Sequence, residues 1–209
     1  MGRILLALLS LAATAFAQYT LEKAGPPPAE LAPEMAAALR QEGHKVLDAA
    51  GNVHAELWFR NASVDGADSG EMEVSWSTVA HGTFVGAIRY AGPGTDRRGQ
   101  QIEPGVYTLR FSFYPVDGAH QGVEPSRDFL ILSPAATDKD PAATPSFDEL
   151  MDMSRKASGT PHPAGLSMWK EDSSSWKPGL EQLGEDWLLN VKVGDAQLSV
   201  IVVGVNAHG

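Results

Sequence analysis

Cysteine is absent from the 209 residues of this chain. No disulfide can form, although disulfides are the usual staple of small exported domains, so packing alone must hold the fold. The same absence removes the residue that an acylated bacterial lipoprotein carries at its mature N-terminus. Basic residues are few: 16 Lys and Arg stand against 26 Asp and Glu, a formal charge of −10 that repels phosphate backbones and anionic lipids. Nucleic acid is thereby disfavoured as a partner. The one long apolar run, Ile4 to Ala13, is too short to span a bilayer. No fixed-period repeat occurs, and the H-E-x-x-H and G-x-S-x-G spacings of zinc proteases and serine hydrolases are missing.

What is present begins with that apolar run. Arg3 precedes it and the small-x-small triplet Ala15-Phe16-Ala17 follows, which together read as a secretory signal over residues 1–17. Cleavage would leave a mature chain starting at Gln18, periplasmic or secreted, with no membrane anchor. The remainder, about 190 residues, suits one sizeable domain that buries roughly two-thirds of its unfolded surface.

Residues 18–43 read as a Pro-rich leader, Gly25-Pro26-Pro27-Pro28, followed by a short helix at 32–42 in which Leu31, Met35, Ala38 and Leu39 recur at helical spacing. The leader could dock on the domain or project from it. From Lys45 the period changes to two, the mark of strands with one buried face. Residues 45–48 and 53–60 form an expected hairpin across Gly51-Asn52, with Ala55, Leu57 and Phe59 on one face and His54, Glu56, Trp58 and Arg60 on the other. Alternation predicts further strands at 72–77, 84–90 and 107–114. Phe129 to Leu132 is apolar on both faces, as for a strand covered on two sides. Ser146-Phe147-Asp148-Glu149 is a capping box that predicts a helix over 147–157. Trp187 to Val193, the turn Gly194-Asp195 and Leu198 to Val205 predict a closing hairpin. The expected fold is mainly β: an antiparallel β-sandwich of seven to nine strands over 44–206, with one inserted helix in the excursion 134–165 and a short N-terminal helix.

Candidate chemistry follows from strand parity, because successive loops of an antiparallel meander alternate ends. By that count His54, His81 and His120 share one rim with Asp117, and three imidazoles suit zinc or copper with a position left open for water or substrate. Met151, Met153, His162 and Met168 suggest a softer copper site, against which stands the common use of Met as core filler. Ser126, His120 and Asp128 can be assembled into a hydrolase constellation, but without a nucleophile elbow. Asp138 with Asp140, and Asp148 with Asp152, fit a solvated loop and a helix N-terminus and imply no glycosidase. Arg97-Arg98 and Arg127-Asp128 fit loop-bracing roles. Asn61-Ala62-Ser63 is a glycosylation sequon only in a host that uses it. Trp58, Arg60, Arg110 and Tyr114 project from predicted outer faces and would form an aromatic, basic binding surface for a protein or glycan partner, unless the helix or leader covers it.

At Pro104-Gly105-Val106-Tyr107-Thr108-Leu109-Arg110, Asp117-Gly118-Ala119-His120-Gln121-Gly122, Arg127-Asp128-Phe129-Leu130 and Ser154-Arg155-Lys156-Ala157-Ser158-Gly159, the chain resembles a family of secreted bacterial β-sandwich proteins of unassigned function. The resemblance implies export and the β fold and carries no catalytic residues. The expectation is therefore an exported, non-catalytic binding or assembly module. The alternative is a periplasmic zinc- or copper-binding protein, or a metal-assisted enzyme, using the rim histidines.

Overall fold

The two-residue periods become a long antiparallel meander. The computed structural model describes residues 18–116, 126–170 and 174–204. The described strands are β1 (Thr20–Ala24), β2 (Gly43–Leu47), β3 (Val53–Phe59), β4 (Phe84–Tyr90), β5 (Gly94–Thr95), β6 (Gln101–Ile102), β7 (Gly105–Phe113), β8 (Asp128–Pro134), β9 (Gly165–Ser167), β10 (Gly179–Leu183), β11 (Asp186–Val193) and β12 (Ala196–Val203), and the helices are α1 (Pro33–Ala37) and α2 (Phe147–Ser158). Seven strands make a curled sheet in the order β1-β2-β3-β4-β7-β8-β9; β10-β11-β12 and β5-β6 make two smaller ones. Every pairing among the described strands is antiparallel. The fold is mainly β, as the alternation requires.

The inward faces of the seven- and three-stranded sheets share one core. Leu57, Phe59, Ile88, Leu109, Phe111, Leu130 and Leu132 pack there with Leu189, Val191, Leu198 and Val200. A bridge from Met168 to Val200, with Trp169 N–H donating to the Ser199 carbonyl at 2.9 Å, carries the large sheet from β9 onto β12.

The outer face of the large sheet is covered in three places. The leader docks: β1 pairs with β2, α1 follows, and Ala24, Leu31, Met35 and Leu39 close over Trp58, Phe84 and Ala87. The α2 helix lays Leu150 and Met151 on Phe129 and Ile131, the outward half of β8. Its capping box is formed as expected, with Ser146 N–H donating to Glu149 at 2.9 Å, and Gly159 ends it in the left-handed region at φ 64°. Between leader and helix, the segment after β8 is clamped down by Arg110.

Three expectations change. Residues 72–77 form turns, with Glu73 at φ 62°, because Val74 and Val79 turn into the core as plugs rather than alternating along a ladder. A register shift between Phe84 and Gly86 puts Phe84 on the outer face with Ala87, although simple alternation pairs it with Ile88. The first helix is a single turn or so, from Pro33 to Ala37. Among the described residues no helix is long and apolar enough to cross a membrane.

Candidate functional site

Losing the strand at 72–77 changes the parity of every later loop. One connection, residues 60–83, joins β3 to β4, so His81 lies at the opposite end of the sheet from His54. The length of β4 separates them, roughly 20 Å at about 3.3 Å per residue. His120 and Asp117 fall outside the described residues. The expected single rim of His54, His81 and His120 is thus corrected: its two described members do not converge, and no group of three metal-ligating side chains occurs among the described residues.

Each histidine instead has a packing role. His54 donates from its Nε2–H to the Val202 carbonyl at 3.2 Å and meets the rings of Tyr19 and Tyr90 at 5.5 and 6.2 Å. His81 contacts the Ser112 hydroxyl through Nδ1 at 3.2 Å, between Phe113 and Phe147. Burial pushes both below the ordinary histidine pKa. Ser112 is fully buried, so this Ser–His contact has no access to a substrate.

The expected outer-face surface is also corrected, because three layers lie on it. Trp58 is 2% exposed under the leader and donates from its indole N–H to the Gly25 carbonyl at 2.8 Å. Arg110 is wholly buried: its Nε and Nη2 grip Asp138 at 2.7 Å each, Nη1 donates to the Gly82 and Ala143 carbonyls, and Nη2 donates also to the Asp140 carbonyl. Five N–H donors meet five acceptors, which fits a guanidinium removed from water. Tyr114 stacks on Phe129 at 4.5 Å, and Arg60 is half-buried with its backbone bonded to Val85. On β3 and β7, moreover, Trp58 and Arg110 are separated by β4.

The remaining candidates are structural in the same way. Ser126 donates to the Met168 carbonyl at 3.1 Å. Asp128, wholly buried, accepts the Trp76 N–H at 2.9 Å and latches the 72–79 turns; desolvation holds its carboxyl above the usual range. Met151 and Met168 belong to different clusters. Arg98 grips Asp96 and the Pro163 carbonyl, both at 2.6 Å, tying the β5–β6 loop to the segment after α2.

Among the described residues, two open clefts stand out. The first, about 660 Å³, lies between residues 137–145 and α2. Three of its acidic groups are engaged internally: Asp138 by Arg110, Glu149 by the capping box, Asp152 by Arg155. The second, about 610 Å³, opens where the two sheets part. One wall is Arg40, Gln41, Glu42 and His44 with Phe59; the other is Pro178, Gly179 and Asn190 to Lys192. The first wall is fixed by Arg40 N–H donating to the Phe59 carbonyl at 3.0 Å, and by the His44 ring 6.1 Å from Phe59. Gly194 joins the walls, donating to the Arg60 carbonyl at 3.4 Å and accepting from Arg40 at 3.5 Å.

This cleft carries two cationic side chains in a molecule of net negative charge. Exposed Arg40 and Lys192 face it from opposite walls, while Glu42 is drawn off by Lys23 at 3.1 Å. Burial lowers the His44 pKa, so its ring is neutral near pH 7 and adds apolar surface. Asn190, 1% exposed, spends its Nδ2 on Glu181 at 3.3 Å, and its Oδ1 has no partner among the described residues. None of the candidate residues read from the sequence belongs to this cleft. One signal for it existed: Asn190 interrupts the run Trp187-Leu188-Leu189-Asn190-Val191, and Asn is disfavoured inside strands. Nothing in spacing joins Arg40 to Lys192.

No protein-family model, curated protein or solved structure matches this chain.

Proposed function

We propose that the chain is an exported, non-catalytic binding module of sandwich type, whose ligand enters the cleft where the two sheets part and carries a carboxylate on an apolar body. The observation that carries this is the placing of Arg40 and Lys192 on opposite walls of an apolar-lined cleft in a chain of formal charge −10. Two cations across a cleft attract an anion, and the exposed Pro178 ring with the half-buried His44 ring offers surface to an apolar body. The signal-like residues 1–17 and the resemblance to secreted bacterial proteins support export. The absorption of Ser112, His81, Asp128 and Arg110 into packing supports binding rather than turnover.

The test is calorimetric titration with octanoate, beside octanamide and octylammonium as neutral and cationic controls of similar shape. Saturable binding of octanoate alone, weakened about tenfold or more by either Lys192→Glu or Arg40→Gln, is the expected result. Equal binding of all three ligands, no binding, or octanoate affinity untouched by both substitutions would overturn the proposal.

A further inference from the structure

We propose that Gln18 is a modification site: once exposed as the mature N-terminus, it closes to pyroglutamate. This rests on the export reading, through cleavage after the Ala15-Phe16-Ala17 triplet. Gln18 is exposed and stands outside the ladder, whose first pair is Thr20 with Leu47. Its side chain and α-nitrogen are therefore free to turn toward each other without breaking a strand pairing. One residue on, the chain is anchored: the Tyr19 ring lies edge-on to His54 at 5.5 Å and to Trp187 at 5.6 Å. That anchor places Gln18 at the end of a strand held in the sheet.

The reaction needs no oxidant or cofactor. The unprotonated α-amine attacks the side-chain carboxamide carbon Cδ, a C–N bond closes the five-membered lactam, and the Cδ–Nε2 bond breaks. The proton given up by the α-nitrogen goes to the departing nitrogen, which leaves as ammonia. Both reacting groups belong to one residue, so the step is unimolecular and gains the rate advantage of enforced proximity. A free α-amino group has a pKa of about 7.7–8.0, so an appreciable fraction is the nucleophilic form near neutrality. The product has no terminal ammonium. The cluster of Tyr19, His54 and Trp187 then carries a neutral cap, and aminopeptidases find no amine to grip.

The full chain, with its own residues 1–17 and a C-terminal tag, is expressed in a bacterium with an export pathway and recovered from the periplasm. Intact mass and N-terminal peptide sequencing after amine labelling are read out. The expected species is 18–209 with its tag, lighter by one ammonia and unlabelled at its N-terminus, converted to a labelled Tyr19 start by pyroglutamyl peptidase. The Gln18→Ala chain, cut at the same bond, must keep a labelled amine. A labelled Gln18 that persists through prolonged incubation at neutral pH would overturn cyclisation while leaving export standing. A chain cut elsewhere or left uncut would overturn both.

Discussion

At the scale of single residues, charge in this protein is used as mortar. Arg110 is the largest case, a buried guanidinium whose five donors hold Asp138 and three backbone carbonyls of the segments that cross β7. Thr108 donates to the same carboxylate. A buried ion pair of this kind gives little net stability over an apolar pair, but breaking it from one side strands a charge in the interior. Arg110→Met alone should therefore cost about 3–5 kcal/mol in urea unfolding, and Asp138→Leu alone a similar amount. Together they should cost less than their sum by at least about 1 kcal/mol, because the second change removes the charge that the first left unpaired. Strict additivity across the four proteins would show that the two side chains are not coupled.

At the scale of elements, the leader is a strap. Met35 and Leu39 are buried on the outer face beside Trp58, and each such side chain contributes about 1.5–3 kcal/mol of apolar burial. The strap depends on Gly43, where an added Cβ would lie 2.5 Å from the Trp58 Nε1 and 2.8 Å from the Leu57 carbonyl oxygen. Gly43→Ala should push the indole off the Gly25 carbonyl and destabilise the fold by about 1–3 kcal/mol. In a Trp58→Phe background, where the colliding nitrogen is gone, the same change should cost less; equal cost in both backgrounds, read by thermal unfolding, would place the strain elsewhere. Much at this scale was legible. The β7 alternation, the two-sided β8, the capping box of α2 and the β11–β12 hairpin all follow from local pattern, since burial on one face writes itself into every second residue. The strap's strand β1 was not legible, because Thr20 to Ala24 is mostly exposed edge and carries no alternation to read. Nor was the 72–77 segment, where Met72, Val74 and Trp76 imitate a strand while the backbone turns.

At the scale of the whole molecule, that one false strand decided what could be said about a site. Loop parity is a global property, so a single local error moved His81 to the end that holds His54 and assembled a rim that the fold takes apart. The cleft of Arg40 and Lys192 is non-local in the same sense, made only when β11 crosses the end of β3. Stability against pH sums over the molecule too, and its sign can be worked out. His44, His54 and His81 all have pKa values lowered chiefly by burial. Below the unfolded value of about 6.5 the unfolded chain binds protons that the folded one refuses, so stability is lost as pH falls from there toward the folded values. Each contributes a slope of at most about 1.4 kcal/mol per pH unit. Asp128 acts in the opposite direction. Its pKa is raised by desolvation, so the folded state keeps a proton that the unfolded state has released above about 3.9, and stability falls as pH rises through that window. The histidine contribution alone makes stability rise from pH 5 to pH 7, to be read by urea unfolding. Removing a histidine with His54→Gln should flatten that rise, whereas Asp128→Asn should steepen it between pH 4 and the folded Asp128 value. If both substitutions move the slope the same way, the burial of these groups does not control their protons, and the pH response belongs to the surface carboxylates instead.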